Sequence, residues 1–189
     1  GWGGALSAQQ IGLIDAVRAG EYRALDRDAC KTPEEREQIM RSCLLTDVFI
    51  TGANALSMDG QMVNIDGNGN RVAAIVYGPK QVIVIAGMNK VEDTLEAAVT
   101  RARTVAAPMN QQRFMLPNPC TTTGTCADCK SETCICNEAS AGFHKNFRHL
   151  NAKFLALLFK CFSNLTDFFK IINLGVTFHL SHTKTAAEI

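Results

Sequence analysis

Apolar residues recur at helical spacing near the start of the chain and predict two helices there. The first follows a capping-box pattern at residues 7–10 and stops at Gly20, and its apolar positions are Ile11, Leu13, Ile14 and Val17. The second begins at Thr32, because Pro33 and Glu35 follow it in the order typical of a helix N-terminus. Each segment has one apolar face, so both helices are expected to pack against a core.

Shorter apolar runs predict β-strands in the middle of the chain. Residues 47–51 are β-branched and aromatic, and residues 81–86 are almost continuously apolar, which is typical of a strand covered on both faces. Asp59 and Gly60 separate two further short runs, and this arrangement predicts a hairpin.

A further helix is expected to begin at Asn89, with Glu92 as its third residue, and to end at Pro108. Its apolar stripe consists of Val91, Leu95, Ala98 and Ala102. Because strands alternate with helices along the chain, the sequence predicts the α/β class with a layered sheet.

The composition changes abruptly after Asn137. Eight of the ten Phe residues, but only two of the fourteen Gly residues, follow this point. Residues 152–172 have the apolar spacing of a helix, but Lys160, Asp167 and Lys170 interrupt it, so we predict a packed or interface-lying helix and no membrane span. The predicted organisation is an α/β domain at 1–118, a cysteine segment at 119–137 and an atypical tail at 138–189 that is dispensable for the fold of 1–137.

Bulk properties are those of an ordinary globular protein, with 47% hydrophobic and 20% charged residues. The formal net charge of +1 provides no broad electrostatic surface for nucleic acid or an anionic membrane. All four His residues lie in the tail, where we expect them at the surface. The sequence begins at Gly1 inside a motif, so we expect its natural beginning to be missing.

Five of the eight cysteines lie between Cys120 and Cys136, with the spacing C-x5-C-x2-C-x4-C-x-C. Thiolates bind soft and borderline metals, and four of them suffice for zinc or for a 4Fe–4S cluster. The alternative is a set of free thiols or a redox disulfide. A dense local cluster in a core-rich chain indicates a reducing compartment, so we predict a cytoplasmic location.

Glycine-rich loops are candidate anion-binding sites. Gly1, Gly3 and Gly4 precede Ser7, so that backbone amides and a helix N-terminus can hold a phosphate or a carboxylate; the alternative is a tight strand-to-helix turn. The loops that contain residues 51–55 and 64–71 would follow strand ends, where open α/β sheets bind ligands. Their candidate ligand-binding residues are Gly52, Asn54, Asn64, Gly67, Asn68 and Gly69.

Asp66 and Arg71 are the candidate catalytic residues. Asp66 offers a carboxylate for proton transfer, and Arg71 can pair with an anionic substrate. The alternative is that Asp66 and the neighbouring Asn side chains only brace the turn.

Several segments, in order, resemble the LUD (lactate utilisation) family. They are residues 1–4, 25–28, 51–55 leading into 64–71, 87–90, and the cysteine segment, which is similar to that of the short stand-alone members. The resemblance covers about residues 1–137. It implies a fold similar to the sugar-phosphate isomerase and CoA-transferase superfamily, an open sheet with helices on both faces, with one or two elements missing before Gly1. Members of the family continue past the cysteines with a further strand, a pattern from which the Phe-rich tail departs.

The same resemblance implies site chemistry. Cys120, Cys126, Cys129 and Cys136 match the family's ligand pattern and leave Cys134 as the spare thiol. The implied cofactor is an iron–sulfur cluster or zinc, and lactate oxidation favours iron–sulfur because it needs electron transfer. Asn54 stands where sugar-phosphate isomerases carry an acid, and an amide cannot shuttle a proton as a carboxylate does.

Three functions are therefore considered. The first is a LUD-domain protein in a system that oxidises L-lactate to pyruvate through iron–sulfur electron transfer, binding a small anionic ligand. The second is a non-catalytic, ligand-binding regulator with structural zinc, and the third is an enzyme acting on CoA or sugar-phosphate substrates. The expected partners are a small anionic substrate and other lactate-utilisation subunits, and no nucleic acid is expected.

Overall fold

The computed structural model describes residues 1–140 and 153–159 of the chain. Helices α1 to α7 are Leu6–Gln10, Leu13–Ala19, Pro33–Ser42, Asn70–Val76, Leu95–Arg101, Ala107–Arg113 and Pro119–Thr123. Strands β1 to β7 are Val48–Thr51, Ala55–Ser57, Met62–Asp66, Gln81–Gly87, Val91–Glu92, Glu138–Ser140 and Lys153–Phe159. Short 3-10 turns lie at Cys43–Leu45 and Met88–Lys90, and a π-helical turn at Ala102–Ala106 joins α5 to α6.

Strands β1, β4 and β7 form a parallel sheet in that order. The first residues of the chain extend it beside β1, because Trp2 forms a parallel bridge with Ile50. The N–H of Gly3 donates to the Ile50 carbonyl at 2.9 Å, and the N–H of Ile50 donates to the Gly1 carbonyl at 3.0 Å. Residues 1–3, β1 and β4 therefore end at the same edge of the sheet.

Helices cover both faces of this sheet. Successive side chains of β1 and β4 point to opposite faces, as the period of a strand requires. One face packs on α1 and α2 in a cluster that includes Trp2, Ala8, Leu13, Ile14, Ile50, Ile83 and Ile85. The other packs on α4 in a cluster that includes Phe49, Ala74, Ile75, Val82, Val84 and Ala86. This arrangement confirms the predicted α/β class.

A second, smaller sheet has the strand order β5-β2-β3-β6. The predicted hairpin is confirmed: β2 and β3 pair antiparallel, and the N–H of Gly60 donates to the Ser57 carbonyl at 2.9 Å. Gly60 adopts φ 88°, a left-handed conformation that glycine takes without steric cost. The strand β6 pairs antiparallel with β3, and β5 pairs parallel with β2.

Two helix starts show how sequence cues succeed and fail. The capping box at Thr32 is confirmed, since its side chain accepts the Glu35 N–H and the Glu35 side chain accepts from the Thr32 N–H. The capping box predicted at Ser7 is wrong. The residue before helix α1 is Ala5, two positions before Ser7, and Ser7 lies in the first turn of the helix. The chain must turn sharply out of residues 1–3 at that point, so the turn fixes the start of the helix.

The helix predicted from Asn89 to Pro108 has different bounds. Asn89 lies in a 3-10 turn, and Thr94 is the residue that caps α5, accepting the Ala97 N–H at 3.2 Å. Pro108 does not end the helix but lies at the start of α6, directly after the π-helical turn. Proline has no backbone N–H to donate within a helix. The local change of helix type before Pro108 allows the helical path to continue without that hydrogen bond.

The helix predicted over residues 152–172 is wrong for 153–159, which form β7; the remainder of that prediction lies outside the described residues. Strand β7 runs parallel to β4 over seven register pairs, from Gln81↔Lys153 to Gly87↔Phe159. A short continuous apolar run fits either a buried helix or a buried strand, and periodicity alone does not separate them. Within the described ranges, none of the helices has the length and apolar character needed to cross a membrane.

Candidate functional site

Three segments leave the parallel sheet at one edge. Residues 4–5 follow the first strand-like segment, residues 52–54 follow β1, and the 3-10 turn Met88–Lys90 follows β4. Open α/β sheets bind ligands outside the carboxyl ends of their strands. The predicted residues Gly4, Gly52 and Asn54 therefore lie together at the edge where the fold places a ligand.

Close packing explains why glycine occupies positions 1 and 3. A Cβ on Gly3 would lie 3.1 Å from Phe49 Cζ and 3.3 Å from Arg71 Cγ, and one on Gly1 would lie 2.6 Å from Cys43 Sγ. A Cβ on Gly4 would meet only Arg27 Nη2, at 3.8 Å. Gly1 and Gly3 thus permit tight packing of the turn, while Gly4 faces a guanidinium group.

Asp66, Arg71 and Asn54 form one network behind this edge. Arg71 Nη2 donates to Asn54 Oδ1 at 2.8 Å and to the Ile65 carbonyl at 2.9 Å, and Arg71 Nε pairs with Asp66 Oδ1 at 3.2 Å. The other Asp66 oxygen accepts the N–H groups of Arg71 and Val72, both at 3.0 Å, at the start of α4. These contacts brace the loop, and the catalytic assignment of Asp66 and Arg71 stays a prediction.

Asn64 is a buried polar residue with an unused amide. Its exposure is 0%, and neither Oδ1 nor Nδ2 has a hydrogen-bond partner within the described residues. An unsatisfied buried polar group costs about 1–3 kcal/mol. Asn64 was predicted as a ligand-binding residue, and its free amide marks a position where a partner is lacking.

The glycine turn after β3 approaches the cysteine segment. Gly69 precedes α4 in a left-handed conformation, with φ 69°, and Asn68 is exposed. The Gly67 carbonyl accepts Asn137 Nδ2 at 3.0 Å, and a Cβ on Gly67 would lie 3.3 Å from the Ile135 carbonyl oxygen. The two regions predicted to carry chemistry are therefore in contact.

Lys90 is a site residue that sequence reasoning did not single out. Its Nζ donates to Ser7 Oγ at 3.2 Å, and no carboxylate among residues 1–137 forms an ion pair with it. Burial lowers the pKa of Lys90, and the neighbouring charges of Arg101 and Arg71 lower it further. The sequence signal at this position was residues 87–90, a segment that resembles the LUD family, but no site role was assigned to Lys90 itself.

Arg101 and Arg27 add further positive charge at this edge. Arg101 reaches back from α5 to donate to the carbonyls of Asn89 and Asn54, and it lies 3.6 Å from Glu92. Burial lowers the pKa of both Arg101 and Arg27. Arg27 Nε is buried without a hydrogen-bond partner among the described residues. We call Ser7, Asn54, Lys90 and Arg101 the strand-end site.

The cysteine segment begins with α7 and contacts α6, where Gln112 donates to the Thr121 carbonyl and Gln111 lies beside Cys134 and Cys136. Burial, followed by the nearby Cys129 and Cys126, raises the pKa of Cys120. Burial and the adjacent Cys134 raise the pKa of Cys136 to about 11. All seven cysteines in the described ranges are free thiols, and no three His, Cys, Asp or Glu side chains there are arranged to hold a metal ion.

The donor set nevertheless has the chemistry of a soft-metal site. Thiols become thiolates if a metal displaces their protons, and the thiols of Cys129, Cys126 and Cys134 are near enough to Cys120 to raise its pKa. The Gln111 amide, which is completely buried, donates towards Cys136 Sγ at 3.6 Å and Cys134 Sγ at 3.8 Å. Hydrogen bonds to sulfur of this kind surround metal-bound thiolates.

Comparison with known proteins identifies the family of the chain. A comparison with curated proteins gives no match, and a comparison with solved structures gives none either. The family model of the LUD domain matches residues 1–146, which include the strand-end site and all five clustered cysteines. The chain therefore belongs to the LUD domain family.

Proposed function

We propose that this LUD domain binds a small carboxylate at the strand-end site, as part of the oxidation of L-lactate to pyruvate. Membership of the LUD family associates the chain with lactate utilisation in general. The assignment of a small carboxylate as the ligand rests on one observation, the environment of Lys90. Its ammonium group is half-buried, its hydrogen-bond partner is the neutral Ser7 hydroxyl, and the charges that act on it are both cations.

An anion is the ligand that this environment favours. Like charges brought together out of water destabilise one another, and an opposite charge placed among them reverses the sign of the interaction. A carboxylate accepts charge-assisted hydrogen bonds from ammonium and guanidinium groups. Ser7 and the Asn54 loop supply neutral polar groups beside the cations.

The position of Asn54 favours binding over isomerase chemistry. Asn54 Oδ1 accepts from both the Ile65 N–H, at 2.9 Å, and Arg71 Nη2, at 2.8 Å. Its amide therefore orients Arg71, and a neutral amide does not act as a general acid or base at neutral pH. This observation keeps a non-catalytic, ligand-binding regulator as the second candidate, ahead of an enzyme acting on CoA or sugar phosphates.

The proposal includes a metal held by cysteine thiolates. Cys120, Cys126, Cys129 and Cys136 would hold an iron–sulfur cluster or zinc, and other lactate-utilisation subunits would be the partners. An iron–sulfur cluster would supply electron transfer, whereas zinc would supply only structure. The contact between Gly67 and Asn137 supports a link between this segment and the loop behind the strand-end site.

A thermal-shift panel tests the proposed function. Wild-type protein is mixed with L-lactate, pyruvate, ribose 5-phosphate or CoA, and Lys90→Met and Lys80→Met are measured in parallel. Lys80 is a matched control because it pairs with Asp47 at the surface, with 83% of its side chain exposed. We expect lactate or pyruvate to stabilise wild type and Lys80→Met, by about 2.7 kcal/mol at 100 times the dissociation constant, and to stabilise Lys90→Met clearly less at the same concentration. A shift with CoA or ribose 5-phosphate alone would favour the third function, and no shift with any ligand would contradict the proposal.

A further inference from the structure

Arg27 is a largely buried cation whose guanidinium group has weak partners. Its side chain is 14% exposed, and its Nε has no hydrogen-bond partner among the described residues. Nε lies 3.6 Å from Asp28 Oδ1, beyond hydrogen-bond distance, and Nη1 donates to a weak acceptor, Met40 Sδ, at 3.9 Å. Buried charges in proteins are normally paired and hydrogen-bonded, so this guanidinium group has capacity for a further acceptor.

The two carboxylates near Arg27 are shared with other cations. Asp28 Oδ1 is also 3.6 Å from Arg36 Nη1. Asp66, whose charge acts on Arg27, forms an ion pair with Arg71. Burial lowers the pKa of Arg27 despite both carboxylates. The positive charge of Arg27 is therefore only partly compensated within the described residues.

Gly4 leaves an opening beside this guanidinium group. Gly4 is exposed, and a Cβ at this position would lie 3.8 Å from Arg27 Nη2. Apart from chain neighbours, no other heavy atom of the described residues lies within 4 Å of that position. An acceptor group that enters this space from the solvent can approach Nη2. The glycine turn that was predicted to hold an anion therefore has a guanidinium group beside it.

This opening is close to the strand-end site. Ser7 lies three residues after the glycine that forms the opening, and three residues span at most about 11 Å even when fully extended. The ion pair of Asp66 and Arg71 is near both cations, because Asp66 acts on the charge of Arg27 and Arg71 acts on that of Lys90. The two cations therefore belong to the same edge of the sheet.

We propose that the strand-end site extends to Arg27 and binds small acids with a second anionic group more tightly than it binds lactate. The first carboxylate pairs with Lys90, and the second anionic group, a carboxylate or a phosphate, fills the space beside Gly4 and accepts from Arg27. A guanidinium group offers paired donors to either kind of anion. This inference rests on the proposed carboxylate site and adds a ligand class to it. Because both acids need Lys90, such a ligand and lactate exclude each other.

Calorimetric titration of the full chain with the L enantiomers of lactate, malate and 3-phosphoglycerate tests the inference. All three are 2-hydroxy acids, and they differ in what the third carbon carries, which is hydrogen, a carboxylate or a phosphate. Arg27→Met removes the guanidinium group. Arg41→Met is the matched control, because Arg41 pairs with Glu37 at the surface and 77% of its side chain is exposed. Thermal unfolding without ligand measures the structural effect of each substitution.

A second pair of variants tests the opening itself and carries the test if Arg27→Met does not fold. Gly4→Asp places a carboxylate in the proposed space, and Gly4→Asn adds a side chain of the same shape without the charge. The space beside Gly4 admits a Cβ in both variants.

We expect wild type and Arg41→Met to bind malate or 3-phosphoglycerate at least about tenfold more tightly than lactate. A preference for only one of these two acids identifies the second group as a carboxylate or as a phosphate. Arg27→Met should lose the preference, and Gly4→Asp should reduce it more than Gly4→Asn does. Each dianionic acid that binds tightly should also displace lactate from wild type.

Equal affinity of wild type for all three acids would overturn the inference, as would a folded Arg27→Met that keeps the preference or equal effects of the two Gly4 variants. Lactate binding without any preference removes this inference alone. Binding of malate or 3-phosphoglycerate without binding of lactate or pyruvate supports the inference and contradicts the proposed role in lactate oxidation. If none of these acids binds, both proposals fail.

Discussion

Lys90 Nζ lies 3.2 Å from Ser7 Oγ and so joins two segments that are 83 residues apart in the chain. Ser7 follows the first strand-like segment, and Lys90 follows β4. The contact bridges two strand ends at the edge where α/β sheets bind ligands. The charges on Arg101 and Arg71 act on Lys90 and make this edge of the sheet positively charged.

The stability of the ligand-free protein should depend on pH through Lys90. Burial and the nearby arginines lower its folded-state pKa below 10.5, the value expected for the unfolded chain. Between these two pKa values the unfolded state binds more protons, so stability rises as pH increases through this window. Urea unfolding at several pH values up to 10.5 should show a gain for wild type that is smaller in Lys90→Met. Parallel curves for the two proteins would show that Lys90 is not the titrating group.

Replacing Gly3 should damage the site, whereas replacing Gly4 should not. The Cβ of Gly3→Ala would press on Phe49, which is 1% exposed, and on the stem of Arg71, so we expect a loss of about 1–3 kcal/mol in unfolding free energy. Gly4→Ala meets only Arg27, at 3.8 Å, and should change stability by less than about 0.5 kcal/mol. Chemical denaturation of the two variants provides the comparison. Equal losses would mean that the packing around Gly3 relaxes freely.

Removing the unused amide of Asn64 should stabilise the ligand-free domain. Asn64→Leu keeps the number and branching of the side-chain heavy atoms and has no polar atoms, and we expect a gain of about 1–3 kcal/mol because two unsatisfied buried groups are removed. Urea unfolding measures the gain. A loss of stability would show that the Asn64 amide has a bonding partner in solution.

Truncation should separate the roles of the last described strand and the residues after it. The composition after Asn137 favours a dispensable tail, but β7 makes seven parallel pairs with β4. We now expect a chain ending at residue 137 to aggregate, because the apolar edge of β4 is left unpaired. A chain ending at residue 159 should keep the wild-type circular dichroism spectrum and elution volume. Wild-type behaviour of the shorter chain would restore the dispensable-tail prediction.

Local signals in the sequence predicted those elements that local chemistry determines. The Thr32 capping box, the hairpin at Asp59 and Gly60, and the buried strand β4 each depend on residues a few positions apart. The strand at 153–159 was missed because its partner, β4, lies far away in the sequence, and pairing decided its conformation.

Only part of the candidate site could be predicted, because local signals mark some of its residues and the folded sheet brings the others together. Gly4, Gly52 and Asn54 were found because strand-to-loop junctions are visible in the pattern. The residues that give the site its charge, Lys90 and Arg101, were missed because their proximity to Ser7 and Asn54 exists only after the sheet has formed. Gln111 was missed because nothing in the sequence shows that α6 packs under the cysteines.

The most direct test of the central claim is calorimetric titration of L-lactate and of pyruvate into wild type, Lys90→Met and Lys80→Met at neutral pH. The account predicts saturable binding of at least one of the two acids to wild type and Lys80→Met. It predicts that Lys90→Met, still folded by circular dichroism, binds at least about tenfold more weakly, since a charge-assisted hydrogen bond is worth about 1.5–3 kcal/mol. Equal affinity in wild type and Lys90→Met, or no binding of either acid to wild type, would contradict it.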